Sequence, residues 1–280
     1  TVDLRYRHVF RNGELEVNGA VTSDDLVSGT RGYLFADGQF RLPFGFGLTI
    51  KGQTVTDPAY LLDYGIADLD RLDSRIVASR TRRNEHISAR MISFQSLRDS
   101  EDNATIPSLI SDLTFHRRFS LGILGGEGGL RLQTHNHVRT SSDPLDGPDS
   151  DLIADGRDVA RLSARIDWRR SLFLPGGIEG VILGEATADF YRITEDSFYS
   201  GSTTRTHGNL GVELRWPWMK ATASGATHVI EPVVQLVWAS SDAESLPNED
   251  SVLVEFDEGS LFQLDRFPGS DAVVEHLAQS

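Results

Sequence analysis

Residues 161–169 read Arg161-Leu162-Ser163-Ala164-Arg165-Ile166-Asp167-Trp168-Arg169. Odd positions are polar or charged and even positions are apolar. Successive side chains of a strand point to opposite faces. A strand here carries Arg161, Ser163, Arg165, Asp167 and Arg169 on one face. Leu162, Ala164, Ile166 and Trp168 lie on the other. A helix would mix the two sets around its circumference.

The pattern recurs on both sides. In 205–216 one face holds Arg205, His207, Asn209, Glu213 and Arg215, and the other Leu210, Val212, Leu214 and Trp216. In 185–191 Glu185, Thr187, Asp189 and Tyr191 oppose Ala186, Ala188 and Phe190. Near the start, Asp3, Arg5 and Arg7 alternate with Val2, Leu4 and Tyr6. Turn dipeptides punctuate these runs. Asn12-Gly13 and Asp37-Gly38 are predicted to close tight hairpins. Arg83-Asn84 is expected to turn the chain between 74–82 and 85–95, and Pro175-Gly176-Gly177 separates two further runs. About ten to thirteen strands are expected. A short helix is expected around Ala59–Tyr64. Segments 140–158 and 240–251 read as long acidic loops. Short turns on one rim and long loops on the other suit a membrane β-barrel.

Composition narrows the class. In 280 residues there are 41 acids, 27 Lys and Arg, and a net charge of −14. That argues against nucleic acid as a partner, since a duplex needs a basic face. There is no cysteine, which excludes disulfides and thiolate zinc sites. No run approaches the ~20 apolar residues of a spanning helix, but a barrel strand needs apolar residues only at alternate positions. The acids gather in 63–73, 99–102, 143–158 and 242–258, with most arginines in the strands between.

Alternation alone leaves two architectures open. A soluble sandwich turns its apolar face inward. A membrane barrel turns its polar face to an aqueous lumen and its apolar face to lipid. Three features favour the membrane. Arginines share the polar face with carboxylates that can pair across strands. Trp168, Trp216 and Trp218 fall near strand ends, as interfacial aromatics do. Several strands approach the ~10 residues of a tilted membrane strand.

Other constellations read blandly. His135-Asn136-His137 puts two histidines on one face without an evident third ligand, so a luminal or rim role outweighs a metal. Asp143, Asp146, Asp149, Asp151 and Asp155 lack EF-hand spacing and read as a solvated acidic loop. Gly125-Gly126-Glu127-Gly128-Gly129 has no following Lys-Ser/Thr and reads as a turn or strand start. No nucleophile–base or paired-carboxylate site emerges from spacing. No catalytic residue, cofactor or metal is expected.

Five short motifs occur in order: His228-Val229-Ile230-Glu231-Pro232; Pro247-Asn248-Glu249-Asp250-Ser251; Phe256-Asp257 with Leu261-Phe262; and Arg266-Phe267-Pro268-Gly269-Ser270-Asp271. Phe94-Gln95-Ser96-Leu97-Arg98 with Ile106-Pro107 precedes them. Earlier still are Arg31-Gly32 with Ala36-Asp37-Gly38, and Tyr6-Arg7 with Phe10-Arg11-Asn12-Gly13. Together they resemble the LptD family of lipopolysaccharide-assembly outer-membrane proteins, also called organic solvent tolerance proteins, in its alphaproteobacterial form. Within the motifs His228, Glu231, Pro232, Asn248, Glu249, Asp250, Phe256, Asp257, Arg266, Phe267, Gly269 and Asp271 carry the resemblance.

The resemblance implies an all-β fold of antiparallel transmembrane barrel strands across 1–280, a partial segment of a large barrel. The family's periplasmic jellyroll domain, remaining strands and gate strands are expected outside this chain. It implies transport without catalysis at the Gram-negative outer membrane. Implied partners are lipopolysaccharide, an LptE-like lipoprotein, a periplasmic Lpt bridge component and outer-membrane lipid. Divalent cations could then bridge lipopolysaccharide to the acidic loops. Arg161, Arg165, Arg169, Arg205 and Arg215 become candidate luminal contacts for lipopolysaccharide phosphates, against the plainer reading that they pair with Asp167, Glu185 and Glu213. Two other functions remain: an unrelated outer-membrane channel such as a porin, or a soluble β-sandwich carbohydrate-binding module.

Overall fold

The computed structural model describes residues 1–25, 28–148, 152–241, 246–247, 262 and 264. Among these, fourteen strands occur in chain order: β1 (Val2–Phe10), β2 (Gly13–Ser23), β3 (Thr30–Arg41), β4 (Gly47–Val55), β5 (Arg71–Arg82), β6 (Glu85–Ser96), β7 (Leu109–Ser120), β8 (Glu127–Val138), β9 (Asp158–Leu174), β10 (Ile178–Thr194), β11 (Gly201–Arg215), β12 (Trp218–Ala221), β13 (Thr227–Ile230) and β14 (Val233–Ser241). The one α-helix among the described residues, α1 (Tyr60–Asp63), stands where the sequence predicts it. Twelve strands form one sheet in the order β1 through β11 and then β14, while β12 and β13 pair separately. No helix among the described residues is long and apolar enough to cross a membrane.

From β1 to β11 each strand hydrogen-bonds to its sequence neighbour, so register there follows from the turns, and β14 pairs with β11 across the β12–β13 hairpin. β5 and β6 meet at Arg82↔Glu85, with Arg83-Asn84 turning as expected. β1 and β2 close at Phe10↔Gly13, so the turn is Arg11-Asn12 and Gly13 opens the next strand. Glycine is required there for space. A Cβ on Gly13 would lie 2.2 Å from the Gln39 carbonyl oxygen.

The Asp37-Gly38 prediction is overturned. Both residues lie inside β3, opposite Glu16 and Leu15 of β2. The chain turns instead at 42–46, where Leu42 N–H donates to the Phe46 carbonyl at 2.8 Å. Phe44 (φ 62°) and Gly45 (φ 83°) adopt left-handed backbone. Gly38 serves packing, since a Cβ would meet the Phe40 ring at 3.0 Å. The 240–251 loop is also corrected at its start, because Ser240 and Ser241 still belong to β14. Most of its remainder lies outside the described residues.

Connections alternate in length along the sheet. The turns at 11–12, 42–46, 83–84, 121–126 and 175–177 are short; of the connections at the other strand ends, 56–70, 97–108 and 139–157 are longer, and 24–29 and 195–200 are six residues each. Two compact units are distinguished. One comprises residues 1–115, 133–162 and 191–202, the other 116–132, 163–190 and 203–280.

In the first unit the long connections carry their own small core. Tyr60 and Leu61 of α1 pack with Val55, Leu72 and Leu97. Burying a side chain such as Leu61 contributes roughly 2 kcal/mol. Charges lock this loop. Arg31, 2% exposed, bridges Asp57 at 2.8 Å, Asp63 at 2.7 Å and Asp24 at 3.3 Å. A buried guanidinium needs such partners, because desolvation without them costs several kcal/mol. The Tyr60 hydroxyl reaches Thr22 at 3.0 Å.

A second knot lies beside it. Glu101 accepts from Arg71 at 2.7 Å, from the Ser96 hydroxyl at 2.8 Å and from Arg98 at 3.0 Å. Hydrogen bonds from Arg71 and then Ser96 hold its carboxyl at about 2, down from its ordinary 4.5. Arg98 also reaches Asp70, whose pKa it lowers. A depressed carboxylate pKa stabilises the folded loop fully above the unfolded value, and that contribution fades as pH falls toward the folded value. Hydrogen exchange across 97–108, corrected for intrinsic rates, should therefore rise between about pH 4.5 and 2. Glu101→Gln should remove most of that pH dependence and leave the part that the Asp70–Arg98 pair supplies. Identical profiles for the two proteins would count against the assignment.

Candidate functional site

The second unit inverts the burial of a soluble sheet. On β10 and β11 the polar face is the buried one: Glu185, Asp189, Arg205, Asn209 and Glu213 are all buried. The apolar face of β9, β10 and β11 is open, with Ile166 59%, Phe190 46% and Leu210 52% exposed. On β14 Val234, Leu236 and Trp238 lie opposite Leu214, Val212 and Leu210 and are exposed with them. Water would penalise this arrangement by about 25 cal/mol per Å² of apolar surface left open. A lipid surround removes that penalty, as in barrels whose apolar face meets hydrocarbon.

On the polar face of this unit lies a cavity of about 310 Å³. Five arginines line it: Arg118 from β7, Arg131 from β8, Arg165 and Arg169 from β9, and Arg215 from β11. Three carboxylates join them, Asp167, Glu185 and Glu213, leaving an excess of two positive charges. His116 and Gln235 add polar groups to the wall, and Trp168, Leu183, Phe262 and Leu264 also line it.

The carboxylates sit behind the guanidinium groups. Glu185 and Glu213 have side chains only 2% exposed, whereas Arg165 is 38% and Arg169 49% exposed. Glu213 accepts from Arg215 at 2.5 Å and from Gln235 at 3.2 Å, and lies 3.6 Å from Arg169. Arg165 donates to Glu185. Arg118 bridges Glu127 and Asp167, each at 2.7 Å. Among the described residues no ion pair forms on Arg131. Each buried acid thus holds a cation that lines the cavity. A planar guanidinium held this way presents paired N–H groups to phosphate or carboxylate oxygens.

Of the arginines singled out from the sequence, Arg165, Arg169 and Arg215 meet in the cavity. Arg161 and Arg205 do not line it. Both are buried, and Arg205 pairs with Asp189 at 3.3 Å. Sequence reading missed Arg118, Arg131 and His116. The alternation His116-x-Arg118 within 109–120 was the available signal. Arg131 stood alone in its run.

The other constellations find structural roles. His135 Nδ1 lies 2.7 Å from Asp112, and its Nε2 lies 3.3 Å from His137 Nδ1. No group of three or more metal-ligating side chains with suitable geometry occurs among the described residues. In the acidic loop, Asp143 accepts from the Leu145 N–H at 3.0 Å and Asp155 from the Gly147 N–H at 3.3 Å, so both organise backbone. Asp149 and Asp151 lie outside the described residues. Gly125 and Gly126 form a turn at φ 65° and 77°, where the Gly125 carbonyl accepts from the Trp168 indole at 3.0 Å. Of the motif residues, His228 is on β13, and Glu231 reaches Arg215 at 3.4 Å and adjoins Pro232. Asn248, Glu249, Asp250, Phe256, Asp257, Arg266, Phe267, Gly269 and Asp271 lie outside the described residues.

An antiparallel sheet with a buried ionic face, an open apolar face and alternating connection lengths defines the class of outer-membrane β-barrel proteins. The family model described as LPS transport system D, LptD, matches residues 29–277, and the chain belongs to that family. The family acts in lipopolysaccharide transport and assembly at the outer membrane and is not a known enzyme family. Membership replaces the readings as an unrelated porin and as a soluble carbohydrate-binding sandwich. No curated protein matches the chain.

The buried acids make a sharp expectation. Removing one partner of a buried pair strands the others and costs ~3–5 kcal/mol. Glu213→Ala should lower the unfolding free energy in urea by about 3 kcal/mol, followed by tryptophan fluorescence in bilayers. A loss under about 0.5 kcal/mol, the usual effect of surface substitutions, would show that the acid holds nothing in place.

Proposed function

We propose that residues 1–280 form part of the barrel domain of a Gram-negative outer-membrane lipopolysaccharide translocon, and that the arginine cavity contacts the phosphates of lipopolysaccharide as it passes the lumen. The arginine excess carries this reading. A chain of net charge −14 would otherwise repel an anionic glycolipid. Arg118, Arg131, Arg165, Arg169 and Arg215 supply local attraction, while Glu185 and Glu213 keep the groups oriented. The remaining acids keep the charge excess small, so a phosphate would be held and then released.

In this reading the exposed apolar face meets outer-membrane lipid, and the long connections face outward from the cell. Partnership with an LptE-like lipoprotein and with a periplasmic Lpt bridge component rests on family membership. Arg161 and Arg205 serve register, through pairing on the buried face, and do not touch cargo.

The test is photocrosslinking in growing cells. A benzophenone amino acid at Leu183, which lines the cavity, should give adducts carrying lipopolysaccharide. The same group at Leu214, on the lipid face at the short-turn end of β11 and so among phospholipids, should not. Replacing Arg131 and Arg169 together by Ala should cut the adduct severalfold while the folded protein remains abundant. Equal yields from the cavity and lipid-face positions would reject the proposal.

A further inference from the structure

Beyond β11 the chain runs Trp216-Pro217-Trp218-Met219-Lys220-Ala221 to a tip and returns as Thr227-His228-Val229-Ile230-Glu231-Pro232. β12 and β13 pair at Trp218↔Ile230, Met219↔Val229, Lys220↔His228 and Ala221↔Thr227. Pro217 and Pro232 interrupt the ladder between this hairpin and the main sheet, since neither has an N–H to donate. The Trp216 N–H still donates to the Pro232 carbonyl at 3.1 Å. The hairpin therefore prolongs β11 and β14 past the main sheet. Trp216 marks where it leaves. Its indole donates to the Gly176 carbonyl, in the neighbouring short turn, at 3.0 Å. Four residue pairs then project about 13 Å further.

Its composition is unlike the rest of the chain. Between Pro217 and Ile230 there is no carboxylate, and the one formal charge is Lys220. Its apolar side chains are open: Trp218 50%, Met219 76%, Val229 61% and Ile230 65% exposed. A lone two-stranded hairpin in water is marginal at best.

Alternation says which surface it continues. Val212, Leu214, Trp216 and Trp218 share one face, so the open apolar face of β11 runs unbroken into the hairpin. Trp216 and Trp218 stack edge to face at 5.0 Å. Past the tryptophans the same face ends in Lys220 opposite His228. Apolar band, paired indoles and then a cation is the order in which side chains cross from hydrocarbon to headgroup.

We propose that the β12–β13 hairpin is a membrane-interface anchor that lies among the phospholipid headgroups of the leaflet on the short-turn side. Lys220 contacts lipid phosphate there and the tryptophans sit at the carbonyl level. The absence of carboxylates from Pro217 to Ile230 removes repulsion from anionic headgroups. The inference rests on the barrel reading given above.

The test uses the lack of cysteine in residues 1–280. The full-length protein, with any cysteine outside these residues replaced by Ser, carries one cysteine with a polarity-sensitive fluorophore at Ser224 (tip), Val212 (lipid face) or Ser202 (opposite end of β11). It is reconstituted into phosphatidylcholine vesicles with and without phosphatidylglycerol. The Ser224 probe should be quenched by headgroup-level nitroxide lipid and protected severalfold from aqueous iodide relative to Ser202. Lys220→Glu should weaken that protection by roughly fivefold or more in the anionic vesicles, from ~1 kcal/mol per basic residue at a charged surface, and much less in neutral ones. If Ser224 is as open to iodide as Ser202 while Val212 stays buried in lipid, the anchor is overturned and the barrel stands. If Val212 is aqueous too, the membrane reading itself fails. Protection that appears only when a second protein is added overturns the anchor in favour of a protein contact.

Discussion

A strand that faces lipid has no water to satisfy its N–H and C=O groups, so each must bond to a neighbouring strand. The rest of this structure depends on that constraint. The sheet runs β1 through β11 with each strand beside its sequence neighbour, β14 then pairs with β11, and β12–β13 satisfy one another. Once the backbone is paired sideways, side chains have only two places to go. The apolar set goes to the outside and the ionic set to the inside. The open Ile166 and Leu210 and the buried Glu213 and Asp189 are two consequences of the same pairing.

Burying ions imposes a second condition, that charges be partnered. Arginine meets it repeatedly, because one guanidinium can bridge several carboxylates. Arg31 gathers three acids beneath a long connection. Arg71 and Arg98 share Glu101. Arg157 holds Asp196 at 2.5 Å, and the same carboxylate caps the N–H groups of Phe198 and Tyr199. In the arginine cavity the balance tips the other way, with more guanidinium groups than acids. That local excess separates a place able to meet an anion from ion pairs that only fix register.

The rim connections show how polar chain becomes ordered structure. Residues 56–70 fold on their own apolar cluster, Tyr60 and Leu61 against Leu72 and Leu97, under the Arg31 clamp. The acidic connection after β8 is organised by carboxylates accepting backbone N–H groups and by Arg139, which bonds the Thr105 carbonyl at 2.8 Å. The expectation of a solvated loop captured its composition and missed these bonds, because turns of this kind are set by backbone geometry that residue type only permits.

By itself, the sequence determined the strands, their two faces and the alternation of short and long connections. Period-two patterning such as 161–169 is a local property, and so are the turn at Arg83-Asn84 and the helix near Tyr60. The family was legible too, in short motifs whose order survives without a fold. Which arginines act together was decided only by the tertiary structure. Arg118 and Arg131 lie far in sequence from Arg169 and Arg215, and only strand register brings them to one cavity. Register also moved Asp37-Gly38 from a turn into mid-strand, since pairing with Glu16 and Leu15 fixed where β3 ends. Alternation states that two faces differ. It takes the assembled sheet to show which one is buried, because burial belongs to neighbours and no residue carries it alone.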